Sequence, residues 1–159
     1  MTHEDFMRLA IDAARQGHQK GEMPFGACIV KQGRVVTTVH NSARERTDIT
    51  AHAEMRAIQE ACRMLKTLEL SGCTIYASCE PCPMCFSACF WANLDRIVFA
   101  SRIEDAERLG IRQIPITSAT MKQLSRASIE VIGDLLRGES VELFRDLRRT
   151  GTRRGRAPS

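Results

Sequence analysis

The amino-acid sequence predicts a single α/β domain, because stretches with helical periodicity alternate along the chain with short strand-like stretches. The chain has 159 residues, which is an ordinary size for one domain with its own core. No internal repeat and no linker-like stretch divides it. We therefore expect one domain over residues 1–149, followed by a basic tail over residues 150–159.

The N-terminal part of the chain predicts a helix followed by a hairpin. Apolar side chains recur at helical spacing over residues 3–19, and glycines follow them. Residues 25–30 and 34–39 have the composition of strands, and Gln32-Gly33 between them is a hairpin signal. Residues 41–48 are predicted to be a polar loop.

The remaining elements continue the alternation of helix and strand. Residues 51–65 are rich in good helix formers and predict a second helix. Further strands are expected at residues 74–78, 96–100 and 129–132, and further helices at residues 82–92 and 138–149. Residues 101–126 show no clear pattern. The two helices that begin near residues 51 and 82 are expected to flank a central sheet of five strands.

Three metal-type ligands and one further carboxylate stand out. His52 and Glu54 lie at the start of one predicted helix, and Cys82 and Cys85 at the start of another. Residues three apart on a helix share a face, so both thiolates can reach one metal ion. A zinc ion with three protein ligands keeps a fourth position for water, whose pKa it lowers to about 7. Glu54, which is not needed as a ligand, is then placed to carry protons.

The Cys-x-x-Cys pair by itself has two other interpretations, a thioredoxin-like redox motif and half of a structural zinc site. A closed structural site needs a fourth ligand at short spacing. The other cysteines form no second Cys-x-x-Cys: Cys28, Cys62, Cys73, Cys79 and Cys89. A redox motif leaves His52 and Glu54 unexplained. The four residues together therefore favour a catalytic zinc site.

The sequence resembles the cytidine deaminase-like zinc hydrolases in several blocks beyond the ligands. The blocks are Pro24-Phe25-Gly26-Ala27, Asn41, Thr50-Ala51-His52-Ala53-Glu54 and Cys79-Glu80-Pro81-Cys82-Pro83-Met84-Cys85. They are similar to blocks shared by guanine deaminases and bacterial tRNA adenosine deaminases. The resemblance covers residues 6–110 and resumes weakly near residues 129–149.

The resemblance has specific implications for the fold and the reaction. It implies a three-layer α/β/α sandwich around a central mixed five-stranded sheet. It also implies one zinc ion (Zn2+) per chain, held by His52, Cys82 and Cys85. The implied activity is hydrolytic release of ammonia from an aminated nucleobase, with Glu54 moving the protons.

The same resemblance implies four contacts with the substrate. Asn41 matches an asparagine that contacts the base in related deaminases, and the backbone N–H of Ala53 is expected to donate to the base. Phe25 and Trp91 stand at positions that can pack against a bound base. Each assignment has a structural alternative, because Asn41 also suits a turn after a strand, and aromatic residues on helices and strands are more often core residues.

Three substrate classes compete. A free aminated base, led by guanine, is favoured because residues 78–85, Trp91, Asp105-Ala106 and Gly110 look like guanine deaminases. Adenosine in tRNA is favoured by the basic tail. The Gly-Ala that tRNA deaminases place after Cys-x-x-Cys is absent, however, and so is their downstream Gly-Ala-x-Gly-Ser segment. The third class is a cytosine-type pyrimidine or a triazine base.

One departure from guanine deaminases concerns the segment after Gly110. Guanine deaminases tend to place an acidic residue there, and a carboxylate binds N–H groups more strongly than a neutral amide does. This chain has Ile111-Arg112-Gln113 instead. Three alternatives follow: weak binding of guanine, a different amino-base as substrate, or a substitute acid among Glu104, Asp105 and Glu107.

The formal net charge of +4 is concentrated at the C-terminus. Six of the 23 basic residues and one of the 19 acidic residues lie from Arg145 onward, which leaves 17 basic and 18 acidic residues elsewhere. A basic tail can contact RNA. Such tails are more often simply solvated, so nucleic acid is the less favoured partner.

Composition also bears on compartment and assembly. No apolar run approaches the roughly 20 residues that a membrane helix needs, and the acidic, polar N-terminus is unlike a secretory signal. Seven cysteines and a need for zinc-binding thiolates fit a reducing compartment, so we expect a cytoplasmic protein. A homodimer is expected from the resemblance alone. A structural zinc module or RNA-binding module is the non-enzymatic alternative, and Glu54 argues against it.

Overall fold

A computed structural model describes residues 1–149, with side chains described as far as Asp146. Its centre is one five-stranded sheet, whose strands are β1 (Gly26–Lys31), β2 (Arg34–His40), β3 (Cys73–Cys79), β4 (Arg96–Ser101) and β5 (Glu130–Ile132). The strand order is β2-β1-β3-β4-β5. β1 pairs antiparallel with β2 and β3, whereas β3, β4 and β5 are parallel. The predicted mixed five-stranded sheet is therefore confirmed.

Helices cover both faces of the sheet. They are α1 (His3–Gln19), α2 (Ala43–Arg46), α3 (Ala53–Leu65), α4 (Pro83–Trp91), α5 (Ile103–Arg108), α6 (Ser118–Ser125) and α7 (Arg137–Arg149). α1 and α7 contact each other on one face, while α3 and α4 contact each other on the opposite face, with α6 against α4. This arrangement is the predicted three-layer α/β/α sandwich.

The two larger apolar clusters of the core lie one on each face of the sheet. Successive side chains of a strand point to opposite faces, so Cys28 and Val30 of β1 join α1 while Ala27 and Ile29 join α3. β3 and β4 are likewise buried on both faces. Near-continuous apolar strands are typical of a sheet that is covered on both sides.

Gly26 marks the point where β1 comes closest to α1. A Cβ at this position would lie 2.1 Å from the Ala10 carbonyl oxygen and 2.5 Å from the Ala14 nitrogen. The Gly26 N–H donates to the Ser78 Oγ at 2.9 Å, which links β1 to β3. The backbone of β1 at Gly26 therefore packs directly against the backbone of α1, which leaves no room for a side chain.

Most sequence-predicted elements agree with the structure to within two residues, and the helix over residues 3–19 agrees at both ends. The hairpin turn has positive φ at both Gln32 (50°) and Gly33 (72°), as a type I′ turn requires. No helix in the described part of the chain is long and apolar enough to cross a membrane. The predicted tail, residues 150–159, lies outside the described residues.

Two stretches differ from the prediction. Residues 41–48, predicted to be a loop, contain the single-turn helix α2. Residues 101–126, which gave no pattern, contain α5 and α6. These helices are short, and their ends are fixed by distant side chains, so local periodicity could not reveal them.

Candidate active site

The starts of α3 and α4 bring the predicted ligands together. His52 is the N-cap residue of α3, and Cys82 is the N-cap residue of α4. Pro83 occupies the first turn of α4, where a missing N–H costs little. Because β3 ends at Cys79, the cluster lies just beyond the carboxyl end of a parallel strand, where α/β proteins commonly bind ligands.

The three ligand atoms have the spacing that a tetrahedral zinc ion needs. Cys82 Sγ lies 3.8 Å from His52 Nδ1, Cys85 Sγ lies 3.6 Å from the same nitrogen, and the two sulfurs are 3.6 Å apart. Zinc–sulfur and zinc–nitrogen bonds of about 2.3 and 2.0 Å at tetrahedral angles require separations of roughly 3.5–3.8 Å. The group is therefore positioned for one metal ion, and its donors fit zinc.

The electrostatics of the group favour a thiolate before any metal binds. The pKa of Cys82 is lowered to about 4, chiefly by its hydrogen bond with Cys85, with a further contribution from His52. The pKa of His52 is raised, mainly by its hydrogen bond with Cys82. The pKa of Cys85 is raised by its hydrogen bond with Cys82 and by burial.

Glu54 is a buried carboxyl group beside this cluster. It occupies the first turn of α3 and is 7% exposed. Burial raises its pKa, and the neighbouring His52 partly opposes that shift. A carboxyl group that is held near the metal ligands, and whose charged form is disfavoured, is suited to accept and release protons.

Asn41 and Ala53 lie on the segments that lead to the ligand group. Asn41 is 3% exposed, its Oδ1 accepts from Ala43 N at 3.0 Å, and its backbone N–H donates to the Phe25 carbonyl at 2.9 Å. The Oδ1 atom of Asn41 therefore makes the turn contact that is expected of a structural asparagine. The NH2 group is the part of the amide that can donate to a base. Ala53 is the first residue of α3, so its N–H has no acceptor within the helix.

The two aromatic candidates differ in their surroundings. The ring of Phe25 lies 5.8 Å from that of Phe144 in an edge-to-face arrangement, beside a buried cluster of Cys79 and Ala106. Trp91 is 78% exposed at the last turn of α4 and contacts Phe90. It follows Cys82 by nine positions, which is about 13 Å along a helix. The structure does not bring Trp91 to the ligand group within one chain.

Asp105 and Glu104, two of the three acids suggested as substitutes, form ion pairs with arginines of the same chain. Both oxygens of Asp105 accept from Arg137 at 2.8 Å, and Arg102 N also donates to Asp105. Glu104 forms ion pairs with Arg102, Arg108 and Arg137. The buried Asp105 carboxylate therefore joins α5 to the start of α7 and is occupied within the fold. Glu104 is 48% exposed, and its contact with a base stays a prediction.

Two buried carboxylates near the site were not found from the sequence. Glu22 is 5% exposed and accepts from the backbone N–H groups of Arg44 and Glu45. Glu80 is 6% exposed and accepts from the backbone N–H groups of Ile103 and Ser118. A glutamate between a buried strand and a metal ligand is the sequence signal that could have indicated Glu80.

A comparison with protein families agrees with this geometry. Residues 1–101, well over half of the chain, match the model described as the cytidine and deoxycytidylate deaminase zinc-binding region. The fold and the ligand group thus define a zinc-binding deaminase domain. The chain belongs to the cytidine and deoxycytidylate deaminase family and is a zinc-dependent hydrolase of C–N bonds.

The relatives include tRNA-specific adenosine deaminases and guanine deaminases. The chain is 45% identical to a tRNA-specific adenosine deaminase of Aquifex aeolicus over 64% of its own length and 67% of the relative's. It is 41% identical to a guanine deaminase of Bacillus subtilis over 69% and 71% of the two lengths. A solved guanine deaminase from Nitrosomonas europaea superposes with a TM-score of 0.84 at 28% identity, covering 91% of this chain and 84% of that one.

Proposed function

We propose that this protein removes the exocyclic amine of a free aminated nucleobase, with guanine as the leading substrate. One observation carries the proposal: the buried Glu54 carboxyl lies beside a His52–Cys82–Cys85 group that is spaced for one zinc ion. A structural zinc module or an RNA-binding module has no use for that carboxyl.

In the proposed reaction, water adds to the ring carbon that bears the amine, and the carbon–nitrogen bond to that amine breaks. Zinc bound by the three ligands supplies a Lewis acid that makes water a competent nucleophile near neutral pH. Glu54 accepts a proton from the attacking water and passes it to the ring nitrogen. It then accepts the proton of the newly added hydroxyl group and delivers it to the departing amine, so that the hydroxyl becomes an oxo group. The products are an oxo-base and ammonia.

Four residues are proposed to bind the base. The Asn41 NH2 group and the Ala53 N–H donate hydrogen bonds to acceptors on the base edge. The Phe25 ring is proposed to form one wall, since the ring contacts Phe144 and the Phe25 carbonyl accepts from the Asn41 N–H. Trp91 is proposed to contact the base across a subunit interface, because it lies far along α4 from its own metal ligands.

The second candidate substrate is adenosine in tRNA. The similarity to the Aquifex tRNA-specific adenosine deaminase supports it as well as the similarity to guanine deaminases supports a free base. A cytosine-type or triazine base is the third candidate. A tRNA substrate predicts that KM rises steeply with salt, because phosphate contacts release counterions.

A homodimer is proposed because of the composition of α4. Its residues Pro83–Trp91 include no charged side chain, and Trp91 and Phe90 are 78% and 37% exposed. A helix that is apolar all round is usually covered on all sides. A second copy of the chain is proposed to cover the exposed side of α4.

An ammonia-release screen tests the proposed function. Zinc-loaded protein is offered guanine, adenine, cytosine, isocytosine, their nucleosides, ammeline-type triazines and a tRNA anticodon stem-loop, each with and without a chelator. Chelator-sensitive release from guanine supports the leading proposal. Activity on the stem-loop alone would establish the tRNA alternative, and no release from any substrate would contradict deamination.

A further inference from the structure

Glu80 makes contacts that connect a metal ligand to a distant part of the chain. It lies two positions before Cys82 and is 6% exposed. Its Oε1 accepts from Ser118 N at 2.8 Å, and its Oε2 accepts from Ile103 N at 3.3 Å. A buried carboxylate is costly unless hydrogen bonds satisfy it, so these contacts are strong constraints on both elements.

The contacts of Glu80 fix the starts of α5 and α6. Ile103 is the first residue of α5, and Ser118 is the first residue of α6. The Ser118 hydroxyl also donates to the Pro81 carbonyl at 3.4 Å, next to the ligand Cys82. The connection between α5 and α6 therefore ends beside the metal group.

The other end of this connection is fixed beside a proposed substrate residue. Ile111 and Phe25 both pack against the buried cluster that contains Cys79 and Phe144. Residues 111–117 have no regular secondary structure. Ile114 and Ile116 within them are 54% and 39% exposed. The segment thus runs from the buried cluster that Phe25 contacts to the Pro81 carbonyl, next to Cys82.

We propose that Glu80 is a positioning residue that holds residues 110–117 as a wall of the substrate pocket. The inference rests on the proposed function and adds a part of the chain that shapes the pocket. The wall carries Arg112 and Gln113 where an acid would suit guanine, so its placement determines which base edges fit. Glu80 itself touches neither substrate nor metal in this assignment.

A Glu80→Gln variant tests this role with little change in size. The carboxamide keeps one acceptor oxygen but turns an NH2 group toward a backbone N–H, so one of the two hydrogen bonds is lost. In zinc-loaded protein, we expect faster amide hydrogen exchange confined to residues 103–118. We also expect KM to rise about tenfold, because weaker anchoring lowers the fraction of protein in which the wall is in its binding position. Zinc content and kcat should stay close to wild type, because a wall contributes to binding rather than to the chemical step.

Asp105→Asn is the matched control. Asp105 is also a buried carboxylate at the start of α5, but it joins α5 to Arg137 of α7 rather than to the ligand segment. We expect Asp105→Asn to lower the melting temperature and leave KM unchanged at a temperature well below melting.

An unchanged KM together with unchanged exchange in Glu80→Gln would overturn the proposal. An equal rise of KM in Asp105→Asn would overturn it as well. Loss of zinc in Glu80→Gln would also overturn it, because the residue would then support the metal site itself. If wild-type protein released no ammonia at all, the proposed function would fail. Hydrogen exchange of residues 110–117 would then decide the role of Glu80.

Discussion

At the scale of single residues, Glu54 is a buried carboxyl group that the stability of the fold does not explain. A buried carboxyl group beside two thiols and an imidazole does not strengthen the fold, because its charged form loses solvation there. The proposed proton transfer would explain its presence. The ligands His52, Cys82 and Cys85 are, in contrast, explained by metal binding alone.

A Glu54→Gln substitution is expected to abolish turnover while the metal stays bound. The amide has nearly the same size but cannot accept a proton from water, and loss of a general base typically costs about 10²–10⁴-fold in kcat. Elemental analysis and ammonia release measure the two properties. Glu60→Gln on the same helix is the control and should keep both. Near-normal kcat in Glu54→Gln would remove Glu54 from the mechanism.

At the scale of elements, the approach of β1 to α1 leads to a second prediction. Gly26→Ala places a methyl group within 2.5 Å of the α1 backbone, which cannot yield as a side chain would. We expect a loss of about 1–3 kcal/mol or more in the free energy of unfolding, as overpacking predicts. Denaturant titration measures it.

Gly138→Ala is the matched control, since an added Cβ there meets no atom within 4 Å. The substitution lies in α7, where alanine is the better helix former. We expect an unchanged or slightly raised free energy of unfolding. Equal losses in Gly26→Ala and Gly138→Ala would contradict the proposed reason for Gly26.

The contact between α5 and α7 predicts a specific dependence on pH. Arg137 holds the pKa of Asp105 below its usual value, so the ionised carboxylate stabilises the folded state. That stabilisation is present above the unfolded pKa of about 4 and is lost as pH falls through the folded pKa. Asp105→Asn should therefore cost about 1.5–3 kcal/mol near neutral pH, and the difference from wild type should shrink on acidification.

Thermal unfolding of wild type and Asp105→Asn between about pH 7 and pH 3 measures this dependence. Zinc dissociates from both proteins in acid because its ligands become protonated, and the comparison cancels that effect. A difference in stability that stayed constant over this range would contradict the assigned role of Asp105.

At the scale of the whole molecule, the exposed side of α4 predicts association. We expect light scattering to give twice the chain mass of 17.8 kDa, and Trp91→Glu to give the monomer mass, because a charge would be buried at the interface. Val35→Glu changes a 39% exposed residue on the edge strand β2 and should leave the dimer intact. A monomeric wild type at micromolar concentration would contradict the proposal.

Much of this molecule was predictable because its signals are local. Helix and strand periodicity predicted α1, α3, α4, α7 and all five strands to within two residues. The spacing of Cys82 and Cys85 predicted one shared metal, because residues three apart lie on one helical face. The mixed sheet, the zinc site and the deaminase family followed from these patterns and from the resemblance they support.

Only the tertiary structure showed what the other charged residues do. Asp105 was a candidate for the base site, and Arg137, more than 30 positions away, occupies it. Glu22 and Glu80 had no recognised role, and each is bonded to backbone groups more than 20 positions away. The sequence determined most of the elements and the Cys82–Cys85 pair, because those depend on spacing within one helix or strand. The partners of buried carboxylates depend on contacts between elements, so the fold alone decided them.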